Sequence, residues 1–145
     1  MTSIRRLNLT SNSIAGWLTD DLLEPFHRCS RVERLTLTGA SRLSTQALKK
    51  VVGGMPALVA VDLSQVAAVE EQVMVQIARR CDRLQGMNLS GCKMVGDEGM
   101  SAIAGQCGML RRVRSGSYAT GSSLTFVGQA RRLSPPDRYL PRPAR

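Results

Sequence analysis

Apolar residues recur along this chain with a period of 26. Val32, Leu58, Leu84 and Leu110 form one column, Leu35, Val61, Met87 and Val113 a second, and Leu37, Leu63 and Leu89 a third. Later in the unit, Leu48, Met74 and Met100 keep the same phase, as do Val51, Ile77 and Ile103, and Cys29, Met55, Cys81 and Cys107. Within each unit the local period changes. In "LQGMNLS" the residues Met87 and Leu89 fall two apart, on one face of a strand. In "DEGMSAIAGQC" the residues Met100, Ile103, Ala104 and Cys107 fall at i, i+3, i+4 and i+7, one face of a helix. The pattern predicts helices over about 44–53, 70–80 and 98–107. A further unit lies upstream, where Ile4, Leu7 and Leu9 precede Val32, Leu35 and Leu37 by 28 residues. Its two extra residues fall in "NSIAGW", and the phase is restored at Cys29.

A strand and a helix repeated at this interval cannot bury their apolar faces alone, so each unit completes its core against its neighbours. The expected fold is an α/β solenoid of about four repeats of 26–28 residues, near 4–31, 32–57, 58–83 and 84–109, with parallel strands along the concave face. Leu110 and Val113 open a fifth unit, but Ser115, Gly116 and Ser117 stand where its second strand leucine belongs. The repeat domain is therefore expected to occupy residues 1–113, and 114–145, rich in Gly, Ser, Pro and Arg, to be a disordered tail. Sequence read past an exon boundary or in another frame would give the same tail. Neither end carries a cap, so Met87, Leu89 and Ile103 are expected to be exposed at the C-terminal end, making the protein prone to associate.

Dividing the net charge of +9 changes its meaning. Residues 1–110 carry 12 Lys+Arg against 10 Asp+Glu, whereas residues 111–145 carry eight Arg against the single acid Asp137. The basicity belongs to the tail. A salt-sensitive nucleic-acid affinity would follow from those arginines, yet Tyr118, Phe126 and Tyr139 form no recognisable binding module with them, and nucleic acid is disfavoured as a partner. No apolar run approaches the ~20 residues that span a bilayer, and the N-terminus lacks a secretory signal pattern. No membrane partner is expected, and the location implied is cytoplasmic, nuclear or both.

Candidate chemistry is sparse. The four cysteines lack the close pairs of a zinc site. Three share the repeat column, where neighbouring helices stand too far apart for a disulfide, and small buried hydrophobes are the expected role. A single histidine, His27, excludes His-based triads and multi-histidine metal sites by count. Asp20-Asp21, Glu70-Glu71 and Asp97-Glu98 fall at helix starts, where acids cap and complement the dipole. "VVGGMP" ends a helix and lacks the G-K-[ST] of a phosphate loop. No catalytic residue, metal or cofactor is expected. The informative surface is the concave face, where residues alternating with the buried pairs point outward. Arg6, Arg34, Ala60 and Gly86 form one row, Asn8, Thr36, Asp62 and Asn88 the next, and Thr10, Thr38, Ser64 and Ser90 a third. The candidate binding residues are Arg6, Asn8, Arg34, Thr36, Asp62 and Asn88. Arg6 and Arg34, one strand apart, are placed to hold a carboxylate or phosphate.

The unit L-x-x-L-x-L-x-x-C-x-x-[ILV]-x-D-x-x-[LM]-x-x-[IV]-A-x-x-C resembles the cysteine-containing subclass of leucine-rich repeats, matched in Cys92, Val95, Asp97, Met100, Ile103, Ala104 and Cys107. The string "IRRLNLT…LTDDLLEPFHRCSRVERLTLTGASRLS…MPALVAVDLS" is similar to the first repeats of fungal F-box/leucine-rich-repeat proteins. These are the substrate receptors of SCF ubiquitin ligases linked to glucose signalling and cyclin turnover. The resemblance covers about residues 4–113. It implies a non-enzymatic protein-interaction module in ubiquitin-mediated degradation, with a protein substrate, acidic or phosphorylated, as partner. It also implies an F-box ahead of the first repeat and further repeats behind. Here the repeat is under way by Ile4, so the SCF core is expected as a partner only if an F-box is supplied by missing sequence. Other readings of the same residues are an F-box-free repeat protein that competes with such a receptor, and a gene fragment without a function of its own.

Overall fold

The computed structural model describes residues 3–10 and 17–115. Five short strands form one parallel sheet in chain order: β1 (Arg6–Asn8), β2 (Arg34–Thr36), β3 (Ala60–Asp62), β4 (Gly86–Leu89) and β5 (Arg112–Ser115). Between them run α1 (Asp20–Leu23), followed by a 3₁₀ turn over Glu24–Arg28, then α2 (Thr45–Gly53), α3 (Glu71–Arg80) and α4 (Asp97–Gln106). The last three helices lie within a residue or two of the spans predicted from periodicity.

The register follows the repeat. Leu7 stands beside Leu35, Leu35 beside Val61, Val61 beside Met87 and Met87 beside Val113. The backbone stitches successive units identically: Glu33 N–H donates to the Arg5 carbonyl, Val59 to Glu33, Gln85 to Val59 and Arg111 to Gln85, each at 2.8 Å. Leu37, Leu63 and Leu89 form a buried ladder behind the strands, and Leu48, Val51, Met74, Ile77, Met100 and Ile103 bury the inner faces of the helices.

The strands β2, β3 and β4 each leave through a turn whose sharpest residue has a left-handed backbone. Gly39 (φ 78°), Gln65 (φ 58°) and Gly91 (φ 79°) occupy this position at 26-residue intervals. Glycine adopts that conformation without steric cost, whereas Gln65 carries a Cβ into it. Gly54 has another role, since a Cβ there would collide with the backbone carbonyl of His27 where the 3₁₀ turn meets the end of α2.

The cysteine column is part of the core. All four cysteines are buried and none is in a disulfide. The Cys81 thiol faces the Met55 carbonyl at 3.5 Å, and the Cys107 thiol faces the Cys81 carbonyl at 3.5 Å, each one repeat back. Cys92 donates to the Leu63 carbonyl at 2.9 Å. Burial pushes the Cys81 and Cys107 thiols up to about 12, so both stay protonated and able to donate.

Three expectations need correction. The C-terminal end does not expose the core: Met87 is 4% accessible, and Leu89 and Ile103 are 0%. The fifth unit supplies a strand beside Met87 and a buried Leu110, which completes the layer that an unpaired fourth repeat would leave open. That strand continues through Arg114 to Ser115, so the sheet extends beyond residue 113. The acidic residues are not the side-chain caps of α1 and α3, although Asp20, Asp21 and Glu71 do lie in the first turns, where they complement the helix dipole. Ser44 is the residue that caps by its side chain, accepting from the Ala47 N–H at 3.1 Å at the start of α2. Asp20 instead accepts from the backbone N–H of Ser44 in the next unit at 2.8 Å, tying α1 to α2. Thr19 and Glu70 make no cap bond from their side chains. The expected disordered tail, from residue 116 onward, and most of "NSIAGW" lie outside the described residues.

Candidate functional site

The side chains of the strands alternate between the core and the open concave face, which aligns the polar rows across the sheet. The first row reads Arg6, Arg34, Ala60, Gly86 and Arg112, and the second Asn8, Thr36, Asp62, Asn88 and Arg114. Arg6, Arg34, Arg112 and Arg114 are exposed.

The middle of this face is a shallow trough of about 380 Å³. Ala60 and Gly86 form its floor. Arg34 stands on one side and Arg112 and Arg114 on the other, with Thr36, Asp62 and Asn88 at the strand-exit end. A smaller depression at the strand-entry end again has Arg34 and Arg112 in its walls, together with Arg111 and Gln85. Arg34 and Arg112 stand three strand spacings apart, about 14 Å.

The structure separates the six residues singled out in sequence. Arg34, Thr36, Asp62 and Asn88 line the trough. Arg6 and Asn8 lie on the outermost strand, in the same rows but outside it. Asn8, Asp62 and Asn88 are also tied into the strand exits. Asn8 Oδ1 accepts from the Thr10 N–H at 3.0 Å and the Thr10 hydroxyl at 2.6 Å, Asp62 Oδ1 from the Ser64 N–H at 3.0 Å and the Ser64 hydroxyl at 2.6 Å, and Asn88 Oδ1 from the Ser90 N–H at 3.0 Å. These are Asx turns. Arg112 and Arg114 were missed in sequence, although each falls 26 residues after a row member, Gly86 and Asn88.

Residues 87–104 match the family described as Leucine Rich repeat. A chain of the Rad7 and Elc1 complex in yeast superimposes with a TM-score of 0.69 at 20% identity, over 79% of this chain and 29% of that one. The fold is a leucine-rich-repeat solenoid. The tropomodulin C-terminal domain of Caenorhabditis elegans (TM-score 0.60, 14% identity, 89% of this chain and 83% of that one) shares it, as does leiomodin-1 actin-binding site 2 (0.62, 9%, 89% and 79%). In sequence, the chain is 27% identical over 100 residues to the SCF E3 ubiquitin ligase complex F-box protein pof2 of Schizosaccharomyces pombe. That similarity takes in 69% of this chain, which spans only 21% of the length of pof2.

Proposed function

We propose that this solenoid is a protein-recognition module of the SCF type, acting in ubiquitin-mediated degradation in the cytoplasm or the nucleus. Its concave trough receives an acidic or phosphorylated segment of the protein to be degraded. The observation that carries this reading is the row Arg34–Ala60–Gly86–Arg112: two arginines flanking a floor of small residues, open to solvent, on the polar concave face of the sheet. Similarity to an F-box protein over most of the chain supports the pathway.

The test is titration with pools of acidic and phosphoserine peptides at two salt concentrations. A hydrogen bond to a charged group contributes roughly 1.5–3 kcal/mol, so loss of one arginine weakens binding by about one to two decades. Reversing both, Arg34→Glu with Arg112→Glu, abolishes binding and leaves the fold intact, because both side chains face water. Arg79→Glu, exposed on α3 away from the trough, changes little. Equal binding by the parent and the double reversal would remove the trough as the recognition surface.

A further inference from the structure

The same turn is held by an amide oxygen in β1 and β4 and by a carboxylate oxygen in β3. Asn88 Oδ1 accepts from the N–H two residues on at the distance seen for Asp62 Oδ1, 3.0 Å. An asparagine therefore suffices for the geometry, and the negative charge of Asp62 is surplus to it. Among the described residues, the second oxygen of Asp62 has only a long contact to the Asn88 amide, at 3.5 Å. Among the described residues the ion pairs are Arg5 with Glu33 and Lys50 with Glu24, so Asp62 shares the trough with three arginines and pairs with none of them. The trough thus has Arg34 and Arg112 on either side of its floor and, one row further along, a carboxylate that pairs with no arginine among the described residues.

The rows of Gly86 and Asp62 are two residues apart along the strands, about 6.6 Å, which is also the separation of alternate side chains in an extended peptide. On the reading that the concave trough is the recognition surface, we infer that it selects a mixed-charge segment. The carboxylate of an Asp or Glu lies over Ala60 and Gly86 between Arg34 and Arg112, and a Lys or Arg two positions away lies against Asp62. Charge complementarity sets both ends, and it assigns a carboxylate over a phosphate because Asp62 opposes a second negative charge beside the clamp. Gly86 makes the idea testable without disturbing the fold. A Cβ added there meets nothing within 4 Å, so a large side chain fills the trough from its floor.

The experiment uses the full chain and synthetic peptide pools with randomised flanks around Glu-x-Lys, Glu-x-Glu and phosphoserine-x-Lys. Glu-x-Lys binds about three- to fivefold tighter than Glu-x-Glu, the scale of one partly exposed ion pair. Asp62→Asn retains the turn and erases that difference, and Gly86→Phe abolishes binding of every pool. If Glu-x-Glu binds as well as Glu-x-Lys, or the preference survives Asp62→Asn, the mixed-charge assignment is wrong while the trough stands, provided Gly86→Phe still blocks. Tighter binding of phosphoserine-x-Lys than of Glu-x-Lys overturns the carboxylate assignment. Binding that survives Gly86→Phe, or no binding by any pool, overturns the trough itself together with this inference.

Discussion

The first repeat and the interior repeats are built from the same pattern and are buried differently. Leu35, Leu37, Val61 and Leu63 are fully or nearly fully enclosed, whereas their counterparts Leu7 and Leu9, with Ile4, are only partly buried. The interior helices α2 and α3 have nine and ten residues, while α1 has four and passes into a 3₁₀ turn at Pro25. Trp17 and Leu22, 47% and 50% accessible, are exposed in the first unit. At the opposite end β5 covers the fourth repeat. In a solenoid, burial is a property of the neighbour, so the same leucine contributes more where a unit stands on both sides.

The largest effect that tests this contrast is a pair of truncations in one column. Leu63→Ala costs about 3 kcal/mol, because a cavity opens among side chains held from both sides, and Leu9→Ala costs about half as much. Denaturant unfolding of the two variants measures the difference, and equal losses would show that the first repeat is as well enclosed as the third.

A smaller effect concerns the thiols sealed between interior units. Cys81 and Cys107 have their protons held by burial, from an ordinary value of 9.0 up to about 12. Below 9.0 both the folded and the unfolded chain keep these protons. Between 9.0 and about 12 the unfolded chain releases them and the folded one does not, so stability falls as pH rises through that window. Replacing both by alanine removes part of the alkaline slope of the denaturation midpoint. An unchanged slope would mean that the thiols are open to solvent.

The smallest effect is at the turn of the third unit. Gln65 stands where the neighbouring units have glycine, and its left-handed backbone costs roughly 1–2 kcal/mol, partly offset by the greater freedom glycine has when unfolded. Gln65→Gly therefore stabilises by about 0.5 kcal/mol. A lower melting temperature for this variant would mean that its side chain contributes a compensating contact.

Much of the site could be read from the columns, and its limits could not. The order Arg34, Ala60, Gly86 follows from spacing alone, because a strict repeat fixes which residues stand side by side. Arg112 and Arg114 obey the same spacing, but Ser115 and Gly116 interrupt the apolar pattern there, and the interruption masked a strand that the backbone ladder still forms. Arg6 was placed in the right row, yet the trough begins one strand further on. No spacing could have revealed that Asn8, Asp62 and Asn88 each spend one oxygen on their own turn, since this depends on the backbone path after the strand.

What the sequence determined by itself is the period, and with it the strand-and-helix unit, the buried leucine ladder and the order of the rows. These follow from local alternation repeated at constant length. The tertiary structure alone decided which ends are covered, which arginines stand on either side of the small residues, and that among the described residues Asp62 pairs with none of them. Those properties arise between units, from the position of one chain segment relative to another 26 or more residues away, and no local pattern of apolar and polar residues encodes such a distance.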